Sequence, residues 1–409
     1  MLFVGDYAPG SSPADIHLDM RPRGLMLNLE GPVVDSSKFS PIRKSGPHLA
    51  SQHLPLLARE VPSVFNLANN HFMDFGPRAA EETLQLLEEF GIRFVGFGVD
   101  GKQAQEGVVI DTGGVRVGIL ASAERQFGLA GINAAGVAGF GPWVYSAIRE
   151  MRNRADFIVV SCDGGNEDLP WPSPERAQLY RSLIDAGADF VYGHHSHRIQ
   201  GLEEHAGGII AYGLGNFAVP PGKWSGYSGG LLSMGVEITS FRPLRWSTRL
   251  MLSSSKNNRI VVCEVSNQAF DNWSTYWELL TDPLRDPEQL QAIWQLNAER
   301  LYTTYGQSFM GWGLRGVWRS CKNRLRDALA LGSWSRGVSR NDLDRFHMVS
   351  CDSHQQVLET ALSLRAQIQK VEHRTDAIGV ISRLESEQTR IDAIATNWRC
   401  NHADSFSRL

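Results

Sequence analysis

The 409-residue sequence lacks long hydrophobic runs, a marked excess of either charge, and closely spaced cysteine pairs. No apolar stretch reaches the roughly 18 residues that a membrane-spanning helix needs, so we expect no transmembrane span. The 40 basic and 44 acidic residues give a formal charge of −4, which offers no global case for nucleic-acid binding. The composition is that of an ordinary globular protein.

Five cysteines are scattered through the chain without a CxxC motif, at positions 162, 263, 321, 351 and 400. Their odd number and spacing favour reduced thiols over a disulfide framework or a structural zinc site. The strand-like start Met1–Val4 lacks the charged and apolar regions of a signal peptide. We therefore expect a cytoplasmic protein, an expectation that a misassigned start site would change.

Strand-like and helix-like segments alternate over roughly the first 220 residues, which predicts an α/β layered domain. Helices are expected at Pro77–Phe90 and Pro174–Ala186, each followed by a glycine. Residues 231–265 are rich in strand formers and predict antiparallel strands that close this domain. Helical patterns then follow, so we divide the chain into an α/β domain at 1–266 and a helical region of unknown role at 267–409.

Three histidines lie within the segment Gly193-His194-His195-Ser196-His197, directly after an apolar strand. In an extended segment, side chains two residues apart point the same way, so His195 and His197 are expected to face one site. Imidazole nitrogens are favoured ligands of divalent transition metals. The alternative is a pair of surface histidines in a turn.

Four further polar clusters follow predicted strands: Gly5-Asp6, Asn28-Leu29-Glu30, Asn69-Asn70-His71 with Asp74, and residues 161–167. Taken singly, such residues are also typical of turns and caps. Taken together at one sheet edge, they supply the ligands of two divalent ions that clamp a phosphoryl group. A carboxylate on Glu30 would suit a position between two ions, because it offsets their repulsion.

The order of these motifs resembles the CapA family of bacterial capsule and poly-γ-glutamate biosynthesis proteins, within the calcineurin-like metallophosphoesterase superfamily. The resemblance rests on Gly-Asp, Asn-Leu-Glu-Gly-Pro, Leu-Ala-Asn-Asn-His-x-x-Asp-x-Gly, Gly-His-His-x-His-x-x-Gln-Gly and Tyr-Gly-Leu-Gly-Asn-Phe, within residues 1–240. It implies a four-layer α/β/β/α metallophosphoesterase-like sandwich, here followed by the C-terminal helical region. It also implies a site for two divalent metal ions, of Mn, Fe or Zn.

The resemblance also implies roles for single residues. The metal ligands would be Asp6, Glu30, Asn70, His195 and His197. His71 would be the catalytic imidazole, with Asp74 as its carboxylate neighbour. His194 would line the pocket, and Lys44 and Arg43 would meet an anionic substrate unless they are solvated loop charges.

One departure from the family pattern concerns the loop after the strand at 157–160. Family members usually carry His-Trp-Gly-x-Glu there, whereas this chain has Cys162-Asp163-Gly164-Gly165-Asn166-Glu167. The Cys162 thiolate or the Asp163 carboxylate would then be the replacement ligand, with a changed metal preference. In the alternative interpretation Cys162 is a small buried residue and one coordination position is lost.

The helical region offers weaker signals. Residues 311–329 predict a basic amphipathic helix, which suits either peripheral membrane contact or packing on its own domain. The histidines at 347, 354 and 373 show no ligand spacing, and residues 353–373 predict one packed helix.

The resulting hypothesis is a capsule or poly-γ-glutamate biosynthesis protein with a two-metal, phosphoesterase-type hydrolase site. Its substrate would be an anionic small molecule or polymer, with no nucleic acid involved. The alternative is a non-catalytic or weakly metallated accessory protein that binds a polymer or partner proteins.

Overall fold

The computed structural model describes residues 1–220, 231–310, 317–318, 321–322, 340–368 and 370–402. The strands are β1 Leu2–Tyr7, β2 Ala14–His17, β3 Leu25–Leu29, β4 Ser63–Asn66, β5 Arg93–Val95, β6 Phe97–Gly98, β7 Val108–Asp111, β8 Arg116–Ala123, β9 Gly136–Val137, β10 Phe157–Asp163, β11 Phe190–His194, β12 Leu202–His205, β13 Gly208–Ala211, β14 Asn216–Ala218, β15 Leu231–Phe241, β16 Leu244–Lys256 and β17 Arg259–Val265.

The helices are α1 Leu57–Glu60, α2 Gly76–Glu89, α3 Gly101–Ala104, α4 Trp143–Met151, α5 Pro174–Asp185, α6 Trp273–Arg285, α7 Pro287–Met310, α8 Arg340–Ser350, α9 Asp352–Arg365 and α10 Arg374–His402. Two 3-10 turns lie at Ser36–Lys38 and Asn267–Ala269. Proline opens α2 and α5, where its missing N–H costs no hydrogen bond.

Two large sheets form the centre of the α/β part. The nine-stranded sheet runs β2-β17-β16-β15-β1-β3-β4-β5, with β14 also paired to β1. The six-stranded sheet runs β12-β13-β11-β10-β8-β7. The strands β1, β3 and β4 are parallel, as are β8, β10 and β11. Their carboxyl ends therefore gather polar loops at one edge of each sheet.

Aromatic side chains join the two sheets face to face. The Phe3 ring on β1 lies 5.0 Å from the Phe190 ring and 5.6 Å from the Tyr192 ring, both on β11. The Phe157 ring on β10 lies 5.0 Å from the Phe241 ring on β15. These edge-to-face contacts bury large apolar areas, so they fix the spacing between the two sheets.

Helices cover the outer faces, which confirms the predicted four-layer α/β/β/α sandwich. Helix α2 packs beside β5, while α4 contacts β8 and α5 contacts β11 and β13. The three strands β15, β16 and β17 pair antiparallel, as the sequence predicted.

The C-terminal helices share the core of the sheets. Leu280, Ile293 and Ile381 belong to the same buried apolar cluster as the sheet residues. The Trp171 indole N–H donates to the backbone oxygen of Leu279 at 3.1 Å. Among the described residues after 266 the predicted helical region is confirmed, whereas the proposed boundary at residue 266 stays a prediction.

Two helices were predicted within the C-terminal region, at 353–373 and 311–329. The helix predicted at 353–373 ends at Arg365, because Gln367 adopts a left-handed backbone with φ of 58°. The predicted basic helix at 311–329 falls largely outside the described residues. Within the described part of the chain, no helix combines the length and apolarity needed to cross a membrane.

Phe190→Ala tests the aromatic contact between the sheets. Removing this fully buried ring leaves a cavity between β1 and β11, so we expect the free energy of unfolding to fall by about 3–5 kcal/mol in urea denaturation. Phe346→Ala on α8 is the control, since that ring is 57% exposed and its loss should change stability by about 0.5 kcal/mol or less. Equal losses in the two variants would contradict the assigned packing.

Candidate functional site

Glycines bring the site loops close to their neighbours. A Cβ at Gly5 would lie 1.7 Å from the backbone oxygen of Gly215, and one at Gly193 would lie 2.2 Å from that of Tyr212. Only glycine permits these approaches. The Asp6 N–H then donates to the Gly215 oxygen at 3.1 Å, which fixes Asp6 at the end of β1.

Asp6 contacts two of the clustered histidines. Its Oδ2 lies 2.9 Å from His197 Nδ1, and its Oδ1 lies 3.3 Å from His194 Nδ1. Burial raises the pKa of Asp6, but the contacts with His194 and His197 outweigh burial and hold the pKa far below its usual range. Asp6 is therefore a carboxylate at neutral pH. The partner ring of His197 has its pKa raised to about 10, because the Asp6 contact outweighs burial.

An asparagine network holds the next carboxylate. The Asn28 amide group donates to Asp6 Oδ1 at 2.8 Å and to Glu30 Oε2. The Asn28 carbonyl accepts from the amides of Asn66 and Asn69, each at 3.0 Å. Neutral amides thus position Asp6 and Glu30 side by side in the protein interior.

Glu30 and Asp163 are buried carboxyl groups with too few hydrogen bonds or positive neighbours to offset the cost of burying their charge. Burial, followed by the charge of Asp6, raises the pKa of Glu30 to about 8. Burial and the charges of Glu30 and Asp6 raise the pKa of Asp163 well above its ordinary value. Glu30 Oε1 and both oxygens of Asp163 have no hydrogen-bond partner. Such unpaired buried oxygens are costly unless a cation reaches them.

His195 and His197 reach the cluster by a different route from the one predicted. Strand β11 ends at His194, and both later histidines have left-handed backbones, with φ of 71° and 55°. Their rings nevertheless lie 6.0 Å apart. Ligand atoms of His195, His197 and the exposed Glu167 lie within 4.8 Å of one another, so this group could hold a metal ion.

The segment after β4 forms the other side of the site. Asn69 Oδ1 accepts from the backbone N–H groups of His71 and Phe72 at 3.1 and 2.8 Å, which fixes the loop. The neighbouring side-chain oxygen of Asn70 is buried without a partner. This oxygen adds a neutral ligand atom to the charged set.

His71, Asp74 and Lys44 form a buried group beside Asn70. His71 Nδ1 lies 2.7 Å from Asp74 Oδ2 and 3.0 Å from Lys44 Nζ. Lys44 also pairs with the second oxygen of Asp74. Burial, followed by the Lys44 charge, lowers the pKa of His71 to about 4, so its ring is neutral at neutral pH. Burial also lowers the pKa of Lys44.

Three other candidates occupy distinct positions. His194 is buried, with Nε2 3.1 Å from Ser161 Oγ. Arg43 is exposed on its loop. Cys162 alternates with Ser161 and Asp163 along β10, so its thiol faces away from the cluster. Burial raises the pKa of Cys162 to about 12, which keeps it a neutral thiol. The structure thus brings Asp163, and not Cys162, to the cluster, with Oδ2 3.8 Å from His195 Nδ1.

Sequence reasoning missed Glu124 and Gln126. Glu124 follows β8 directly, pairs with the buried Arg176, and has its pKa lowered to about 2, since Arg176 outweighs burial. The Gln126 amide lies 2.8 Å from Glu124 and 3.0 Å from His195 Nε2. Glu124 could have been found by the signal that identified Asp6 and Glu30, which is a carboxylate directly after an apolar strand.

The donor set fits divalent cations. Unpartnered oxygens of Glu30, Asn70 and Asp163 and the unpartnered Nδ1 of His195 are buried at the ends of neighbouring strands. Carboxylate, amide and imidazole atoms suit ions such as Mn, Fe or Zn. A divalent ion would also relieve the repulsion between Glu30, Asp163 and Asp6.

Comparison with known proteins gives a consistent picture. Residues 23–220 match the family model described as bacterial capsule synthesis protein PGA_cap. The capsule biosynthesis protein CapA of Bacillus anthracis is 33% identical over 167 residues, which cover 39% of this chain and 41% of that protein. A probable polyglutamine synthesis accessory protein of Mycobacterium tuberculosis is 28% identical, over 47% of this chain and 54% of that protein.

The chain spans about half the length of the curated relatives it matches. A solved structure of a phosphatase from Mycoplasma pneumoniae is 10% identical with a TM-score of 0.36, covering 61% of this chain and 92% of that chain.

Asp74→Asn tests the buried ion pair. The change leaves Lys44 buried without a negative partner, so we expect the free energy of unfolding at neutral pH to fall by about 3–5 kcal/mol in urea denaturation. Asp282→Asn, in an exposed pair with Arg285, should cost about 1 kcal/mol or less.

The effect of Asp74→Asn on stability should also depend on pH. Burial raises the pKa of Asp74, but His71 and Lys44 outweigh burial and lower it overall. Its stabilisation is therefore fully present above its unfolded-state pKa and is lost as the pH falls through the lowered folded-state pKa. The gap between parent and variant should narrow in acid, and a gap that widens there would contradict the assigned pairing.

Proposed function

We propose that the chain is a metal-dependent hydrolase of the phosphoesterase type, within the bacterial capsule synthesis protein family whose model its residues 23–220 match. The observation that carries this proposal is the set of buried, unpartnered oxygens of Glu30, Asp163 and Asn70 beside two histidines. A purely structural role would leave these groups at a high cost in free energy.

We assign two divalent ions to the cluster. The side chains that would hold them are those of Asp6, Glu30, Asn70, Asp163, His195 and His197. Asp163 takes the coordination position that the family pattern gives to a histidine, because its carboxylate faces the cluster while the Cys162 thiol does not. Glu167, at the rim, is within reach of the histidine side.

Bound ions would supply positive charge for phosphoryl oxygens and a lowered pKa for bound water. The chain's own residues position and move the proton. In this proposal His71 Nδ1–H donates to Asp74, which leaves Nε2 as the nitrogen available to a leaving oxygen. The Lys44 charge, held against this pair, favours an anionic substrate nearby.

A bound phosphoryl group would change the protonation of His71 in the direction that catalysis needs. The free protein holds His71 neutral, because burial and Lys44 disfavour its cation. A phosphoryl group beside the ring adds negative charge and therefore favours the protonated imidazole that donates to a leaving group.

The proposed biological setting is surface-polymer synthesis. Relatives named for capsule biosynthesis and for a polyglutamine synthesis accessory role support it. We propose a phosphate ester linked to an anionic polymer or its precursor as the substrate class. An accessory protein without catalysis is the competing function, favoured by the accessory name of the mycobacterial relative.

Asp163→Asn tests the metal assignment. We expect divalent metal to raise the melting temperature of the chelator-treated parent, because ligand at 100 times its Kd stabilises the native state by about 2.7 kcal/mol. The variant should lose most of this gain. Cys162→Ala is the matched control, since its neighbouring side chain faces away, and it should keep the full gain. A full gain in Asp163→Asn would refute Asp163 as a ligand.

His71→Asn tests the catalytic assignment. We expect hydrolysis of an aryl phosphate by the metal-loaded protein to slow by about 10²–10⁴-fold in kcat, with the metal content unchanged. His205→Asn, in a pair with Asp185 away from the cluster, should leave kcat unchanged. A parent protein that binds metal but hydrolyses no phosphate ester with Mn, Fe or Zn would support the accessory function instead.

A further inference from the structure

A second group of metal-ligating side chains lies in the C-terminal helices. His347 is on α8, Cys351 is at the junction between α8 and α9, and His354 is in the first turn of α9. One ligand atom from each lies within 4.8 Å of the others. The positions 347, 351 and 354 are spaced i, i+4 and i+7, the spacing of one helix face, so the sequence carried a recognisable signal for this group. Cys351 itself has an extended backbone between the two helices.

The geometry of these three side chains suits a tetrahedral ion. Zinc bonds of about 2.0–2.3 Å place neighbouring ligand atoms about 3.3–3.8 Å apart. The rings of His347 and His354 have centroids 4.7 Å apart, which places both rings within reach of one ion. His354 Nδ1 is buried without a hydrogen-bond partner, which leaves it available as a ligand.

A carboxylate of the α/β part lies beside the thiol. Glu124 Oε1 is 3.2 Å from Cys351 Sγ. Both residues are almost fully buried. A buried thiol against a carboxylate is a weak hydrogen bond, whereas a bound cation would favour the thiolate.

The donor set of this group favours zinc. Metal binding requires neutral imidazoles and a deprotonated thiol. Two imidazoles and one thiolate favour zinc over harder ions such as Mg²⁺ or Mn²⁺.

We propose that His347, Cys351 and His354 bind one Zn²⁺ ion at a site distinct from the Asp6 cluster. The ion would hold α8 against α9, next to the Glu124 carboxylate. Beside it, the Ser353 hydroxyl on α9 donates to Glu124 Oε1, in the loop after β8, at 2.7 Å. This site does not depend on hydrolase activity at the first cluster.

Cobalt spectroscopy on the full chain tests the proposal. After chelator treatment the protein is titrated with Co²⁺, and we expect a thiolate-to-cobalt charge-transfer band in the parent that Zn²⁺ abolishes. Cys351→Ala should lose the band and about one equivalent of zinc by elemental analysis. Cys263→Ala is the matched control, since this buried thiol lies in β17, and it should keep both.

Two further variants separate this proposal from the proposed function. Asp163→Asn removes a ligand of the first cluster only, so the band should persist. His354→Gln should abolish the band while circular dichroism confirms that the protein is folded. A parent without the band, or a band lost in Cys162→Ala and kept in Cys351→Ala, would overturn the assignment.

Discussion

Buried negative charge at the strand ends is the constraint on which the site depends. Asp6, Glu30 and Asp163 lie together where β1, β3 and β10 deliver them, and each is almost fully buried. Burial favours the neutral form of every carboxylate, and the ionised Asp6 makes ionisation of the other two harder still. The His197 cation pairs directly with Asp6, and its charge lowers the pKa of Glu30 and Asp163 by less than burial raises it. Glu30 Oε1 and both oxygens of Asp163 therefore stay without a hydrogen-bond partner. A cation site requires such free oxygens, whereas a packed core avoids them.

Asn28 explains how the fold tolerates this arrangement. A side-chain amide offers two N–H donors and two acceptor positions. In Asn28 the donors serve Asp6 and Glu30, and the acceptor positions serve Asn66 and Asn69, so the whole capacity of the group is used. An aspartate there would add a fourth charge without donors, and a leucine would remove one hydrogen bond from each of Asp6, Glu30, Asn66 and Asn69. The neutral amide is therefore as necessary to the geometry as the charged ligands.

The sequence predicted most of the layered fold, since alternating apolar segments and glycine-terminated helices such as α2 and α5 are local signals. It also placed polar loops at one sheet edge, because parallel strands deliver their ends together. The sequence could not show in which direction each side chain points. The choice between Cys162 and Asp163 depends on the face of β10, and Glu124 became visible only through its three-dimensional neighbours. The assumption of an extended His195–His197 segment failed because both residues adopt left-handed backbones. The helix predicted to run through 373 failed for a similar local reason at Gln367.

Glu124 links the two parts of the chain and gives the helices a role beyond packing. Its Oε2 is held by Arg176 and by the N–H of Gly165, while its Oε1 faces Cys351 and Ser353. Gln126 connects the same carboxylate to His195 in the first cluster. A chain of hydrogen bonds therefore runs from Ser353 on α9 through Glu124 and Gln126 to the His195 ring. Because hydrogen bonds to a ligand's other nitrogen orient its ring toward a metal, this chain ties the orientation of His195 to the packing of α9.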